Sequence, residues 1–219
     1  MNSCFFPFSP RPNGAARVVE RGCMRVISGS AKGTSLVGPG PSGVRPTLDR
    51  VKESYFNLIG QNLDGLAFLD LFAGTGNMGI EALSRGASRV VFVEPDSRAQ
   101  KIILANLARC RFGKEERDPV DPEPRWTLMK TDALRALTRL TENGERFDFI
   151  YVDPPFADDL YGRCLSAIGA ANILSDEGRV AVEHFRKKNL DEVYGPLLKG
   201  RERRLGDTVL SFFSPSRAQ

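Results

Sequence analysis

At 219 residues, 41% hydrophobic and 26% charged, the chain has a globular balance with room for one sizeable core. No apolar run approaches the roughly 18 residues that span a bilayer, and the four cysteines (Cys4, Cys23, Cys110 and Cys164) form no C-x-x-C pair of the kind that holds zinc or an iron–sulfur cluster. The net charge of +4 is unevenly spread: residues 61–183 sum to −5 and residues 184–219 to +4, so an acidic centre lies between basic ends that suit a polyanionic partner.

Residues 1–23 carry three prolines and no periodic apolar pattern, and read as a disordered extension without the apolar stretch of a secretory signal. Residues 24–60 form a second unit. Short strands are expected at 25–28 and 34–37 around a Gly-Ser-Ala-Lys-Gly turn. A helix should start near Thr47 or Asp49, with Leu48, Val51, Tyr55, Leu58 and Ile59 on one face and Gly60 as its stop. The third unit, residues 61–215, alternates strands and helices. Strands are expected at 66–71, 89–94, 126–129, 147–152 and 179–183, with helices at 77–85, 97–110, 132–141 and 158–171. That rhythm predicts a Rossmann-like, doubly wound α/β fold with a mostly parallel sheet. Residues 111–125 break it with a charged, proline-containing loop. Near the C-terminus a short helix is expected over 189–198, followed by an antiparallel hairpin of 201–205 and 208–213 around Gly206-Asp207.

The segment Asp70-Leu71-Phe72-Ala73-Gly74-Thr75-Gly76 joins the first long strand to a helix. Glycine at 74 and 76 allows a tight turn and close approach to a ligand, and Glu94, at the end of the next strand, can accept two ribose hydroxyls. These features alone suit either a nicotinamide cofactor or S-adenosylmethionine. Asp70 favours the second, because a carboxylate beside the turn repels a pyrophosphate but attracts the ammonium of a methionine moiety. Asp132 is placed to cap the next helix or to contact adenine, and Phe72 and Ala133 complete the expected pocket. Asp153-Pro154-Pro155-Phe156 follows the fourth strand. Two prolines stiffen this corner. They leave the Asp153 carboxylate and the Pro154 carbonyl as acceptors for an amino group, and Phe156 as a surface on which a base stacks. His184, the only histidine, reads as structural.

The motifs M-R-V-I-S-G-S-A-K-G (24–33), R-P-T-L-D-R-V-K-E-S-Y-F-N (45–57), D-L-F-A-G-T-G-N-M-G-I-E-A-L-S-R-G-A (70–87), V-E-P-D (93–96) and D-P-P-F (153–156) resemble those of the RsmD-type 16S rRNA guanine-N2 methyltransferases. The resemblance runs from Met24 to about Phe213. It implies a class I fold with a seven-stranded sheet, S-adenosylmethionine as methyl donor, and transfer to the exocyclic N2 of a guanine in small-subunit rRNA. It also implies a partly or fully assembled small ribosomal subunit as substrate. The cysteine usage itself suits a reduced, cytoplasmic compartment, and with nothing in the sequence demanding a dimer a monomer is the simpler expectation. Asp153 and Phe156 would match the catalytic and base-stacking positions. Asp70, Gly74, Gly76, Glu94 and Asp132 would match the cofactor site. Lys32, Arg45, Thr47, Arg50 and Lys52 gain a role as RNA contacts. Two features depart from the family: the extension 1–23 and a longer, more charged 111–125 loop. The D-P-P-F corner also serves adenine-N6 and DNA amino methyltransferases. A nicotinamide-dependent oxidoreductase would leave Asp70 and D-P-P-F without work.

Overall fold

A computed structural model describes residues 24–38, 47–113, 124–155 and 160–216. Its central sheet contains β1 (Ala67–Asp70), β2 (Arg89–Val93), β3 (Trp126–Met129), β4 (Phe147–Val152), β5 (Leu174–Phe185), β6 (Val193–Tyr194), β7 (Leu197–Leu205) and β8 (Thr208–Pro215). The order across the sheet is β3-β2-β1-β4-β5-β8-β7-β6. Strands β1 to β5 are parallel, and β8, β7 and β6 follow in antiparallel pairing. The helices are α1 (Thr47–Ile59), α2 (Asn77–Ser84), α3 (Ser97–Arg109), α4 (Ala133–Glu142) and α5 (Leu160–Ala171). This is the Rossmann-like, doubly wound architecture that the alternating pattern predicts, in the class I form that the motif resemblance implies. None of these helices is long and apolar enough to cross a membrane.

The parallel strands read as continuous apolar runs because both faces of the sheet are covered. Successive side chains point to opposite sides. Phe68, Phe92 and Tyr151 therefore join one core with α1, α2 and α3, while Leu69, Val91 and Ile150 join a second with α4 and α5. Cys110 and Cys164 are buried free thiols, and burial pushes both up to about 11.

Three expectations need correction. The sheet has an eighth strand, β6, only two residues long. No helix forms over 189–198. Leu190, Tyr194 and Leu197 are buried at a spacing that mimics a helical face, but Gly195 turns at φ 59 and Pro196 follows, so the chain reverses into β7. The two N-terminal strands reduce to one bridge, Arg25 to Ser35. The turn between them is closed by the Gly33 amide on the Val26 carbonyl at 2.9 Å.

The N-terminal segment is nevertheless firmly held. Glu81 of α2 is fully buried and accepts the amides of Ile27 and Ser28 at 2.8 and 2.9 Å. Its charge is matched by Arg85 at 2.8 Å and Lys52 at 3.3 Å. Gly29, at φ +81, is required where the segment crosses α2, because a Cβ there would lie 1.7 Å from the Ser84 carbonyl oxygen. Asn106 of α3 holds the other end: it accepts the Val37 amide at 2.7 Å and donates to the Thr75 carbonyl at 2.9 Å.

Candidate active site

The chain leaves β1 for β2 and β3 on one side and returns to place β4 on the other, so the strand order reverses next to β1. A crevice opens at the carboxyl ends of strands at such a point. Two cavities occupy it. The larger, about 640 Å³, is lined by Phe72, Gly74, Glu94, Asp132, Ala133, Asp153, Pro154 and Leu160 among others. The smaller, about 270 Å³, is lined by Asp70, Phe72, Gly74, Tyr151, Asp153 and Glu183 among others. Phe72, Gly74 and Asp153 border both.

The glycines of the turn do different work. Gly74 has φ +53, and a Cβ built on it meets nothing within 4 Å, so the backbone there faces open cleft. Gly76 faces inward: at φ +78 it opens α2, and a Cβ would press on Ile80 and Ile103 at 3.2 and 3.3 Å. Gly79 lets α2 lie on the sheet, since a Cβ there would fall 2.3 Å from the Phe92 ring.

Backbone amides orient the acids. Glu94 accepts Gly74 N–H at 2.8 Å and Asp96 N–H at 2.8 Å. Asp70, 2% exposed, accepts Gly79 N–H at 2.9 Å. Asp132 caps α4 by accepting the Arg135 amide at 3.0 Å and still reaches the larger cavity. One acid therefore sits at each end of the Gly turn, around an open backbone and apolar walls. That set of acceptors suits an elongated ligand carrying a cation, a diol and a flat ring.

The family described as "Conserved hypothetical protein 95" matches residues 24–214. The chain belongs to this family. YlbH of Bacillus subtilis is 37% identical over 190 residues, which are 87% of this chain and 98% of that protein. Ribosomal RNA small subunit methyltransferase D of Escherichia coli is 29% identical over 192 residues, 88% of this chain and 90% of that one. The solved structure of Escherichia coli yhhF superposes with a TM-score of 0.72 at 25% identity, covering 90% of this chain and 100% of that one. The protein is thus an S-adenosylmethionine-dependent methyltransferase related to the RsmD and YlbH proteins. The family match spans nearly the same residues as the motif resemblance.

Within the family cleft, most of the expected residues converge. Asp70, Phe72, Gly74, Glu94, Asp132, Ala133, Asp153 and Pro154 all border it. Phe156 and Arg45 lie outside the described residues, as does the side chain of Thr47. Lys32 and Arg50 are exposed. Lys52 requires a correction. It is fully buried, donating to the Arg25 carbonyl at 2.6 Å and to Asn77 Oδ1 at 2.7 Å, so it has no access to a phosphate. Its spacing contained the signal: residue 52 stands three before Tyr55 and four before Phe56, on the buried face of α1. His184 is structural, with Nε2 at 2.8 Å from Ser211 Oγ. Glu183 is a site residue that the motifs did not single out. It borders the smaller cavity, accepts a hydrogen bond from the Tyr151 hydroxyl, and sits one position past Val182, which pairs with Val152 of β4. Its place at the end of a parallel strand was the available clue.

Burial pushes the Asp70 carboxyl up to about 7; the Gly79 amide opposes the rise and the charge on Glu94 adds to it. The folded value lies above the ordinary 3.8. The stability tied to this proton is therefore complete below about pH 4 and is lost as pH rises through about 7. Unfolding free energy should fall by about 2–3 kcal/mol between about pH 5 and pH 8 on account of this group. Urea titrations at those pH values should show Asp70→Asn removing that part of the slope. An unchanged slope in the variant would refute the assignment.

Proposed function

We propose that the protein transfers a methyl group from S-adenosylmethionine to the exocyclic N2 of a guanine in 16S rRNA, within a partly or fully assembled small ribosomal subunit. A cytoplasmic monomer is the form proposed. The observation that carries this reading is the position of Asp153 on the wall shared by both cavities, where an acceptor for an amine borders a pocket suited to the cofactor.

In this reading Asp70 faces the ammonium of the methionine moiety, Glu94 takes the ribose hydroxyls, and Asp132, Ala133 and Phe72 border the adenine. When bound, the cofactor supplies a methyl group on a positively charged sulfur. A guanine amino group is a weak nucleophile because its lone pair is delocalised into the ring. Asp153 and the Pro154 carbonyl accept its hydrogens, turning the lone pair toward the methyl. On transfer the amine nitrogen would gain the methyl and lose a proton to solvent, and the electron pair of the broken carbon–sulfur bond would stay with the spent cofactor. The guanine must first leave its stack, and Phe156 is the proposed stacking surface. Of the residues expected to contact RNA, Lys32, Arg45, Thr47 and Arg50 remain in the proposal.

The test is transfer of labelled methyl from S-adenosylmethionine to unmethylated small subunits and, in parallel, to naked 16S rRNA, followed by nucleoside analysis. N2-methylguanosine at one site is expected. N6-methyladenosine would replace the base assignment. No transfer to either substrate by folded, cofactor-binding protein would overturn the rRNA reading.

A further inference from the structure

A third cavity, about 290 Å³, lies beyond the carboxyl end of β5 and is lined by His184, Arg186, Lys188, Lys199, Arg204 and Glu202 among others. Its floor is a connected polar row. His184 Nε2 meets Ser211 Oγ at 2.8 Å, and that hydroxyl donates to Glu202 at 2.9 Å. Lys199 is engaged as well, with Glu192 at 2.5 Å and Glu202 at 3.8 Å. The two carboxylates of the cavity thus share Lys199, against four cationic side chains in its lining. Arg186 and Arg204 at the rim are exposed, and neither has an ion-pair partner among the described residues. The cavity therefore carries an excess of positive charge on its open side.

Its location links it to the catalytic corner. Across β7, β8 and β5, Arg204 pairs with Val209 and Val209 with His184, so Arg204 and His184 stand in one row. The His184 ring packs edge-on against Tyr161, and the Lys188 ammonium lies 5.6 Å from the centre of the Tyr161 ring. Tyr161 directly follows Leu160, which opens α5 and lines the larger cavity. From β4, which carries Asp153, to β7 there are three strand spacings, about 14 Å. That span corresponds to roughly four stacked nucleotides at ~3.4 Å each.

We propose that this cavity is a docking site for RNA backbone phosphates flanking the nucleotide held at Asp153, with Arg186 and Arg204 as the direct contacts. The inference rests on the reading of RNA as substrate, and it places the register-setting contacts on the C-terminal hairpin side. Phosphate contacts of this kind fix the substrate's position and carry no base specificity.

The experiment compares the full chain with R186A/R204A and with a control, R98A/K101A, which removes two exposed charges from α3. Binding of a 16S rRNA transcript is measured against salt, alongside S-adenosylmethionine affinity and methyl transfer to small subunits. R186A/R204A should weaken RNA binding about tenfold or more and lower the slope of log K against log salt by about 1.4, the loss of two single-strand phosphate contacts. Cofactor affinity should be unchanged and the control should bind like the parent. Equal RNA binding by parent and R186A/R204A, or an equal loss in the control, would overturn the site. Failure of the parent to methylate RNA that it binds would instead overturn the functional reading, and the binding comparison would still decide the phosphate site.

Discussion

Asp153→Ala should lower methyl transfer by about 10²–10³-fold or more, the cost of deleting one preorganised polar group at a reacting centre. Cofactor affinity should stay within about twofold if Asp153 acts as proposed, on the amine rather than on the body of the cofactor. Asp153 sits at the end of β4, one strand from Asp70 and beside a corner stiffened by Pro154 and Pro155. The backbone of that corner survives the substitution, so the loss should fall on the transfer step. Asp153→Asn keeps one acceptor oxygen and should retain more activity than the alanine variant. Single-turnover transfer from labelled cofactor gives the rate, and equilibrium dialysis gives the affinity. A normal rate in Asp153→Ala would remove Asp153 from the mechanism. A parallel collapse of cofactor binding would instead make it a cofactor ligand.

Glu81→Ala should destabilise the fold by about 3–5 kcal/mol, the range for breaking a buried ion pair from one side. Glu81 is 0% exposed and serves four partners: the amides of Ile27 and Ser28, Arg85 and Lys52. Removing it leaves two half-buried amides short of an acceptor and two buried cations without a counter-charge. Lys52 is the more exposed to this loss, because burial already lowers its pKa and the Glu81 charge is the main influence raising it again. Arg85 keeps its place over the Phe56 ring at 4.5 Å but would hold an unmatched charge. Adding Lys52→Met to Glu81→Ala should recover part of the loss, since it removes one orphan, so the double variant should cost less than the two single ones together. Urea midpoints of the four proteins measure this directly. A shift below about 0.5 kcal/mol for Glu81→Ala would place it among ordinary surface substitutions and refute the network's role.

This network also fixes one wall of the smaller cavity. Met24 and Val51 line the smaller cavity, and both belong to elements that Glu81 and Lys52 hold against α2. Stability of the N-terminal segment and the shape of the pocket beside Asp70 are therefore set by the same three side chains, Glu81, Lys52 and Arg85.

The local sequence determined the strand–turn–helix at 67–84, the acids at 70 and 94, and the D-P-P corner. Each of these rests on short-range rules: continuous apolar runs for buried strands, glycine where φ is positive, proline where the chain is stiff. A parallel sheet then brings the ends of successive strands to one edge whatever the details of packing, so Asp70, Glu94 and Asp153 could be placed together without coordinates. The tertiary structure decided what depended on distant partners. Lys52 looked like a surface cation because charge is read locally, whereas its acceptors lie 25 and 27 residues away. Gly74 and Gly76 looked equivalent because only the packed chain shows which would meet Ile103 and which faces open space. Glu183 and the basic cavity at β5, β7 and β8 come from strand pairings between segments whose separations no local pattern encodes. Their roles follow from pairing register, which the burial of whole faces enforces only once the sheet has formed.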